Sequence, residues 1–434
     1  FNPPAIINSY GAVDITVGTN GQNIGGLIGS ANGFSGISES FYDQDLTGNT
    51  NDDCDSEFAP CGEGKTTLEL KDPATFANWS LGGSTSIWQI ASGDEISYPY
   101  LIDPEQTPAP GLEGAPMRLV YDTSLGDGNT IRLPLDRTVN VSIDWGDGSA
   151  PTTHTESGFV SHTYAGEGQY TVSIYGELQH FGQIGGLFIE YEDAEKLTAV
   201  ESFGNIGIEN LSWAFKSASN LEQAPTALPS TVRSLRGAFA EASKFNDANI
   251  INWDVGNVAN FSRMFDGAAA FNQNIGDWSV DNATDMSSMF LRARAFNQPL
   301  NDWNVENVTS FYRMFEGAWQ FNQDLNSWTT NQVTTMQRMF FEAATFNGKI
   351  DQWNTGNVTQ MNRMFDGASR FNQPIGNWDV TKVTTFDRMF ARAITFDQDI
   401  SGWNPTAGTD FGGMFWSADS FNQPIGQWGE DVKK

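Results

Sequence analysis

The stretch that decides the fold is Trp353-Asn-Thr-Gly-Asn-Val-Thr-Gln-Met-Asn-Arg-Met-Phe-Asp-Gly-Ala-Ser-Arg-Phe-Asn-Gln-Pro-Ile-Gly-Asn-Trp378, one period of a repeat. Tryptophan returns every 25 residues, and phenylalanine and Met-Phe pairs keep the same period. The eight periodic tryptophans are Trp253, Trp278, Trp303, Trp328, Trp353, Trp378, Trp403 and Trp428. A fixed period of this length predicts a solenoid, in which each coil buries its apolar face against its neighbours. Such an architecture argues against an enzyme.

Within one repeat, two apolar patterns follow each other. Residues at spacings of three and four predict one face of a short helix or 3₁₀ segment. These residues are Met361, Met364, Phe365, Ala368 and Phe371. Ile375, Trp378 and Val380 have the spacing of a short strand and turn. We therefore expect neighbouring coils to pair their backbones about 4.8 Å apart.

The repeated signature Val-Thr-x-Met-x-x-Met-Phe…Ala-x-x-Phe-Asn-Gln resembles the BspA-like leucine-rich repeat, also called the DUF285 repeat, of bacterial and mycoplasma surface proteins. The resemblance covers residues 251–434, and residues 183–250 are interpreted as degenerate capping repeats. It implies a leucine-rich-repeat-type solenoid that adheres to host or environmental surfaces.

The first part of the chain is rich in glycine. Ile24-Gly-Gly-Leu-Ile-Gly29 and Gly36-Ile-Ser-Glu-Ser-Phe-Tyr42 predict short strands in a tight β coil over residues 1–102. These motifs resemble the GLUG motif of large bacterial surface proteins. A start within such a repeat predicts that the chain is part of a longer polypeptide. Three prolines in residues 103–111 indicate an extended linker, which we place at residues 103–115.

A second module is expected at residues 116–182. Residues 139–143 and 170–175 alternate apolar and polar side chains, which predicts two half-buried strands. Between them lie Asp144-Trp-Gly-Asp-Gly148 and Ser161-His-Thr-Tyr164. These motifs resemble the PKD domain, which implies a small immunoglobulin-like β-sandwich that acts as a spacer or binding accessory. The predicted fold class is thus modular and mainly β with short helices: a Gly-rich β coil, an Ig-like β-sandwich and a leucine-rich-repeat-type solenoid of 25-residue coils.

A calcium site is one interpretation of the turn in this module. Asp144 and Asp147, with Asp127 or Asp136 nearby, offer the oxygen ligands that Ca²⁺ takes. The alternative is a tight glycine-rich turn in which the carboxylates cap backbone amides. No other cofactor is expected.

The two cysteines, Cys54 and Cys61, are interpreted as a loop-closing disulfide. A zinc site would need two further thiolates or imidazoles, and none lies near them in the sequence. A disulfide implies an oxidising compartment, and two free thiols are the alternative.

The composition limits the partners and the location. With a net charge of −30 and a pI of about 4.2, the chain lacks the clustered cations that nucleic-acid binding requires. No apolar run reaches the length of a membrane span. We therefore expect an extracellular protein, either secreted or on the bacterial cell surface.

Three repeated columns have alternative interpretations. The periodic tryptophans are expected to fill core positions rather than form a sugar-stacking surface. An amide column is expected to be an internal hydrogen-bond ladder rather than a ligand site; it contains Asn272, Asn297, Asn322, Asn347, Asn372, Asp397 and Asn422. An arginine column is expected to form local ion pairs with acids three residues on, the alternative being a cationic stripe for an anionic glycan. It contains Arg263, Arg313, Arg338, Arg363 and Arg388.

Six apolar residues interrupt columns that are polar or small in other copies. They are Leu291, Tyr312, Trp319, Phe341, Ile394 and Trp416. Apolar groups of this kind mark contact surfaces, so these are the candidate ligand contacts. The partner is expected to be a host or environmental surface protein or glycan, or a copy of the same chain.

The sequence therefore predicts adhesion or ligand recognition by the solenoid, with the first two modules as a stalk. The alternative is a structural subunit of a self-assembling extracellular filament or surface layer. A polysaccharide-cleaving enzyme would need two carboxylates fixed across a cleft, and the sequence contains no such constellation.

Overall fold

The computed structural model describes residues 115–182, 193–426 and 428, together with seven short strands within the first 101 residues. The chain divides into two units, Phe1–Ala109 and Pro110–Lys434. The strands of the first unit are β1 (Ile6–Ile7), β2 (Tyr10–Gly11), β3 (Ile37–Ser38), β4 (Phe41–Asp43), β5 (Glu63–Lys65), β6 (Trp88–Gln89) and β7 (Tyr100–Leu101). Strand β1 pairs with β3, and β4 lies between β2 and β5, all in parallel, whereas β6 and β7 are antiparallel.

The second unit begins with a six-stranded antiparallel sheet. Its strands are β8 (Met117–Asp122), β9 (Thr130–Asp144), β10 (Thr152–His154), β11 (Gly158–Thr163), β12 (Gln169–Phe181) and β13 (Leu197–Ser202). Their order is β10-β9-β12-β8-β13, and β11 also pairs with β9. The two strands expected from alternation, at 139–143 and 170–175, lie within β9 and β12, so that prediction is confirmed.

Strand β9 changes direction at Arg137, which has a left-handed backbone with φ of 63°. Before this point β9 pairs with β11, and after it with β10. The bend closes the sheet around a core that includes Tyr121, Trp145 and Phe181, all at most 1% exposed.

The sheet continues into a stack of coils. His180 in β12 forms a parallel bridge with Asn210, which bridges to Ser234, and the bridges continue coil by coil to Asp410. One core of buried residues runs from the sheet through the stack. The boundary predicted at residue 182 therefore falls inside a continuous body, because β13 joins the sheet from the region assigned to capping repeats.

The short helix predicted for each repeat is wrong. In the coil that begins at Phe261, the N–H of Met264 donates to the carbonyl of Phe261 (3.1 Å), but the N–H of Phe265 donates to Met289 in the next coil (2.9 Å). Arg263 is left-handed, with φ of 58°, and this interrupts the helix. Each coil is instead a series of tight turns, and the described residues contain no α-helix and two 3₁₀ segments, Ala194–Lys196 and Ala248–Asn252.

Each coil has two left-handed positions, four residues apart. The second position alternates between glycine and a long side chain; it is occupied by Glu241, Gly267, Arg292, Gly317, Glu342, Gly367 and Arg392. The glycines leave room for the long side chains: a Cβ at Gly367 would lie 3.2 Å from Cγ of Glu342 and 3.4 Å from Nη2 of Arg392. The structural repeat is therefore a pair of coils, 50 residues long.

The interior of the stack consists of aromatic columns. Phe290 and Phe315, in successive coils, stack with centroids 5.5 Å apart. The periodic tryptophans are at most 4% exposed, which confirms the prediction that they fill core positions. The amide column forms the predicted internal ladder, in which the N–H of Asn297 donates to Oδ1 of Asn272 (2.9 Å) and Gln298 also donates to it (3.0 Å).

None of the helices in the described residues has the length and apolar character needed to cross a membrane.

A candidate ligand-binding face

The turns that carry the left-handed residues form one face of the stack, which we call the arginine face. It comprises residues 262–270, 287–295, 312–320, 337–345, 362–370, 387–395 and 412–420. All nine arginines of residues 251–428 belong to it, with six carboxylates, so its formal charge is +3. The remaining residues of that range contain twelve carboxylates and two lysines, a formal charge of −10. The stack is therefore electrostatically two-sided.

Buried carboxylates on this face are shared between arginines of successive coils. Glu316 accepts hydrogen bonds from Arg313 at 2.7 and 2.9 Å and from Arg338 at 2.8 and 2.8 Å. Asp266 likewise accepts from Arg263 (3.0 Å) and Arg292 (2.8 Å). One carboxylate between two guanidinium groups leaves a surplus positive charge at each site. The predicted local ion pairs are thus present for Arg263 and Arg313, and they extend between coils.

The two shared carboxylates titrate differently. Burial raises the pKa of Asp266, and the hydrogen bond from Arg292 only partly offsets it. Burial also acts to raise the pKa of Glu316, but its hydrogen bonds to Arg313 and Arg338 outweigh burial and lower it. Glu316 is therefore the more firmly ionised of the two.

The six candidate contact residues do not all reach the surface. Trp319 and Ile394 are 47% exposed and Trp416 is 59% exposed. Tyr312 and Phe341 are half-buried. Leu291 is only 2% exposed and offers no contact surface, so its assignment as a ligand contact is corrected.

The 50-residue alternation explains Leu291. The third residue after the first left-handed position is acidic in every second coil; these acids are Asp266, Glu316 and Asp366. The coils between them have Leu291, Phe341 and Ala391 there. Leu291 and Phe341 therefore follow a two-coil pattern, which a 25-residue alignment misreads as an interruption.

Each exposed or half-buried aromatic ring on this face lies against a cation. The guanidinium of Arg294 lies 4.4 Å from the ring centroid of Trp319, and that of Arg338 lies 4.1 Å from Phe341. Arg388 lies 5.9 Å from the ring of Trp416. Cations at these distances are attracted by the ring quadrupole. The pairs fix the orientation of large side chains that would otherwise rotate freely.

Sequence reasoning missed Trp213, which belongs to the same face in an earlier coil. Its ring is flanked by Arg236 (5.6 Å) and Lys216 (6.0 Å). A Cβ at Gly237 would overlap this ring, so glycine is needed in the next coil. The signal available in the sequence was a tryptophan in the column that later contains the left-handed arginines.

The geometry of Asp144 and Asp147 is that of capped turns. Asp144 accepts from the N–H of Gly146 (2.9 Å), and Asp147 accepts from the N–H of Ser149 (3.0 Å) and contacts Nε2 of His162 (2.8 Å). The hydrogen bonds from Ser149 and His162 lower the pKa of Asp147 to about 2.

The calcium interpretation is therefore corrected. Asp136 faces His180 instead, at 2.9 Å, and does not join Asp144 and Asp147. No group of three metal-binding side chains occurs in the part of the chain that the structure describes. Cys54 and Cys61 lie outside the described residues, so their disulfide stays a prediction.

Comparison with protein families gives one match. The family described as "Mycoplasma protein of unknown function, DUF285" matches residues 186–298, 233–353 and 341–434. Together these segments cover more than half of the chain. Neither the curated proteins nor the solved structures contain a match.

Proposed function

We propose that this chain, which belongs to the DUF285 family, is an extracellular recognition protein that binds its ligand through the arginine face. The observation that carries the proposal is the set of exposed apolar side chains on that face, Trp319, Ile394 and Trp416, together with their arginine neighbours. Aromatic residues and arginine are the side chains that contribute most to binding energy at protein interfaces. The role is non-catalytic.

The rigidity of this face supports the proposal. Trp319 and Trp416 project from turns that are anchored to the next coil by backbone hydrogen bonds, such as Gly317 N–H to the carbonyl of Phe341 (2.7 Å). A ring held in place before binding loses little conformational entropy when a ligand docks. The side chains are thus preorganised for contact.

The finer architecture belongs to the same proposal. We assign the coil stack to the leucine-rich-repeat-type solenoids, the antiparallel sheet to the PKD-like immunoglobulin sandwiches and residues 1–102 to a GLUG-like β coil. On this assignment the first two modules form a stalk on a bacterial cell surface or a secreted assembly. The resemblance of Trp145 and His162 to a PKD motif supports the middle module, because the two rings stack 4.6 Å apart.

The proposal is tested by binding of the labelled chain to glycan and peptide arrays. The variant combines Trp319→Ser, Phe341→Ser and Trp416→Ser, and its fold is checked by circular dichroism. The matched control is Phe159→Ser, which removes a 42% exposed aromatic ring from β11 instead. We expect the triple variant to lose the signals of the parent chain and the control to keep them.

Array signals that survive in the folded triple variant would contradict the proposal. Light scattering and electron microscopy of the same proteins separate it from its alternative. Fibres or sheets that form with the parent chain and not with the triple variant would assign the face to self-assembly.

A further inference from the structure

The arginine face contains cations that the protein itself does not neutralise. Among the described residues, Arg294, Arg370 and Arg388 form no ion pair, while the other arginines of the face contact carboxylates. These three are exposed. A chain of net charge −30 that retains unpaired guanidinium groups on one face presents a local site for anions.

Two of these arginines lie beside the most exposed tryptophans. Arg294 and Trp319 occupy equivalent positions in neighbouring coils, and Arg388 lies one coil before Trp416. A guanidinium group binds a carboxylate through two parallel hydrogen bonds, and an indole face packs on apolar C–H groups. Each pair therefore offers the two contacts that a carboxylated sugar needs.

The pairs recur along a straight line of coils. Arg294 and Trp319 lie in two neighbouring coils, Arg370 lies two coils beyond Trp319, and Arg388 and Trp416 occupy the next two coils. The rise per coil, about 4.8 Å for parallel backbone pairing, is close to the length of one sugar ring in a glycan chain. A linear polymer laid across the coils would meet these groups in register.

We propose that the arginine face binds a linear polyuronate-type glycan, with carboxylates on Arg294, Arg370 and Arg388 and sugar rings on Trp319 and Trp416. This rests on the proposed function and names the ligand class of the same face. A nucleic acid fits less well, because the acidic remainder of the stack repels a dense row of phosphates. An acidic polypeptide shares the charge but lacks rings with apolar C–H faces.

The experiment measures binding of the full chain to polygalacturonate by isothermal titration calorimetry. Fully methyl-esterified polygalacturonate is the neutral probe with the same sugar, and polyglutamate is the acidic probe without sugar. The test variant is Arg294→Ser with Arg388→Ser. The charge-matched control is Lys349→Ser with Lys382→Ser, which removes two cations outside the face.

We expect polygalacturonate to bind the parent chain and the control equally, and the arginine variant to bind about tenfold or more weakly, which is a loss of about 1.4 kcal/mol. The methyl ester and polyglutamate should bind at least about tenfold more weakly than polygalacturonate. Neither arginine forms an ion pair, so the thermal midpoint of the variant should match that of the parent and exclude misfolding as the cause.

Equal binding of the methyl ester, equal binding of polyglutamate, or an equal loss in the lysine control would each overturn the inference. A neutral array ligand that needs Trp319 and Trp416, with no binding of polygalacturonate, would overturn it while leaving the proposed function intact. Loss of every array ligand from the parent chain would remove both.

Discussion

The indole Nε1 of Trp353 donates a hydrogen bond to the carbonyl oxygen of Leu325 in the preceding coil, at 2.7 Å. The same bond links Trp378 to Ile350 (3.3 Å) and Trp328 to Leu300 (2.8 Å). Each tryptophan thus fills its own coil and satisfies a buried carbonyl of its neighbour. The column joins packing and hydrogen bonding in one residue type, which explains why no other residue replaces it.

Replacement of Trp353 by Phe should therefore destabilise the stack. The carbonyl of Leu325 would lose its donor inside the core, at a cost of about 1–3 kcal/mol, and the smaller ring would leave a cavity. Urea unfolding followed by fluorescence measures the change. Trp319→Phe is the control, because this exposed ring should alter stability by no more than about 0.5 kcal/mol. Equal effects of the two substitutions would contradict this account.

Gly367→Ala tests the alternation between glycine and long side chains. Gly367 has φ of 79°, and an added Cβ would press on Glu342 and Arg392. We expect a loss of about 1–3 kcal/mol in the free energy of unfolding. Gly402→Ala should cost less, because its backbone is not left-handed and the added Cβ would meet only the carbonyl of Gly376, at 3.5 Å. A neutral Gly367→Ala would show that the coils can shift to accept a side chain there.

The shared carboxylates give a pH-dependent prediction. The pKa of Glu316 is lowered in the folded state, so its ionised form stabilises the fold above the unfolded pKa, and this is lost as pH falls through the folded value. The pKa of Asp266 is raised, so stability from its protonated form is present below the unfolded pKa and is lost as pH rises.

At pH 7, Glu316→Gln should therefore destabilise the chain by about 1–3 kcal/mol, and Asp266→Asn by less. The difference should shrink as the pH falls into the range where carboxylates are protonated. Urea unfolding at a series of pH values measures both variants. A larger effect of Asp266→Asn at neutral pH would refute the assignment of Glu316 as the more firmly ionised group.

Lys196 should be essential for the sheet. Its side chain is fully buried, and Nζ donates to the carbonyls of Asp127 and Thr130 and to Oδ1 of Asp193, each at 2.8 Å. Lys196→Met leaves these acceptors without a donor and should cost about 3–5 kcal/mol. Lys244→Met, at an exposed position, is the control for the loss of one charge and should be nearly neutral.

The period, the apolar columns and the amide ladder were all readable from the sequence, because every coil must fill the same space. The helix was predicted wrongly because spacings of three and four also arise from two consecutive turns. Left-handed arginines such as Arg263 give no signal in a propensity argument, since backbone bonds to the next coil stabilise them. The fate of Leu291 required the two-coil alternation, which a 25-residue alignment hides.

The candidate site was predictable only in part. Trp319, Ile394 and Trp416 stood out because they depart from the repeat, and the structure exposes all three. Their arginine partners come from other coils or other columns, so the sequence gave no distance between them. Trp213 was overlooked because it lies among irregular repeats. Asp144 and Asp147 resembled a metal site because carboxylates that cap turns and carboxylates that bind cations share the same residue types.

The alternation of glycine with long side chains limits how the array can change in length. Removing one coil would bring a glycine next to a glycine, or set Glu342 directly against Arg392 with no gap for either side chain. Removing or adding two coils would restore each neighbour. Growth and loss of this protein by duplication or deletion should therefore proceed in steps of 50 residues, so related chains should differ in length by even numbers of coils.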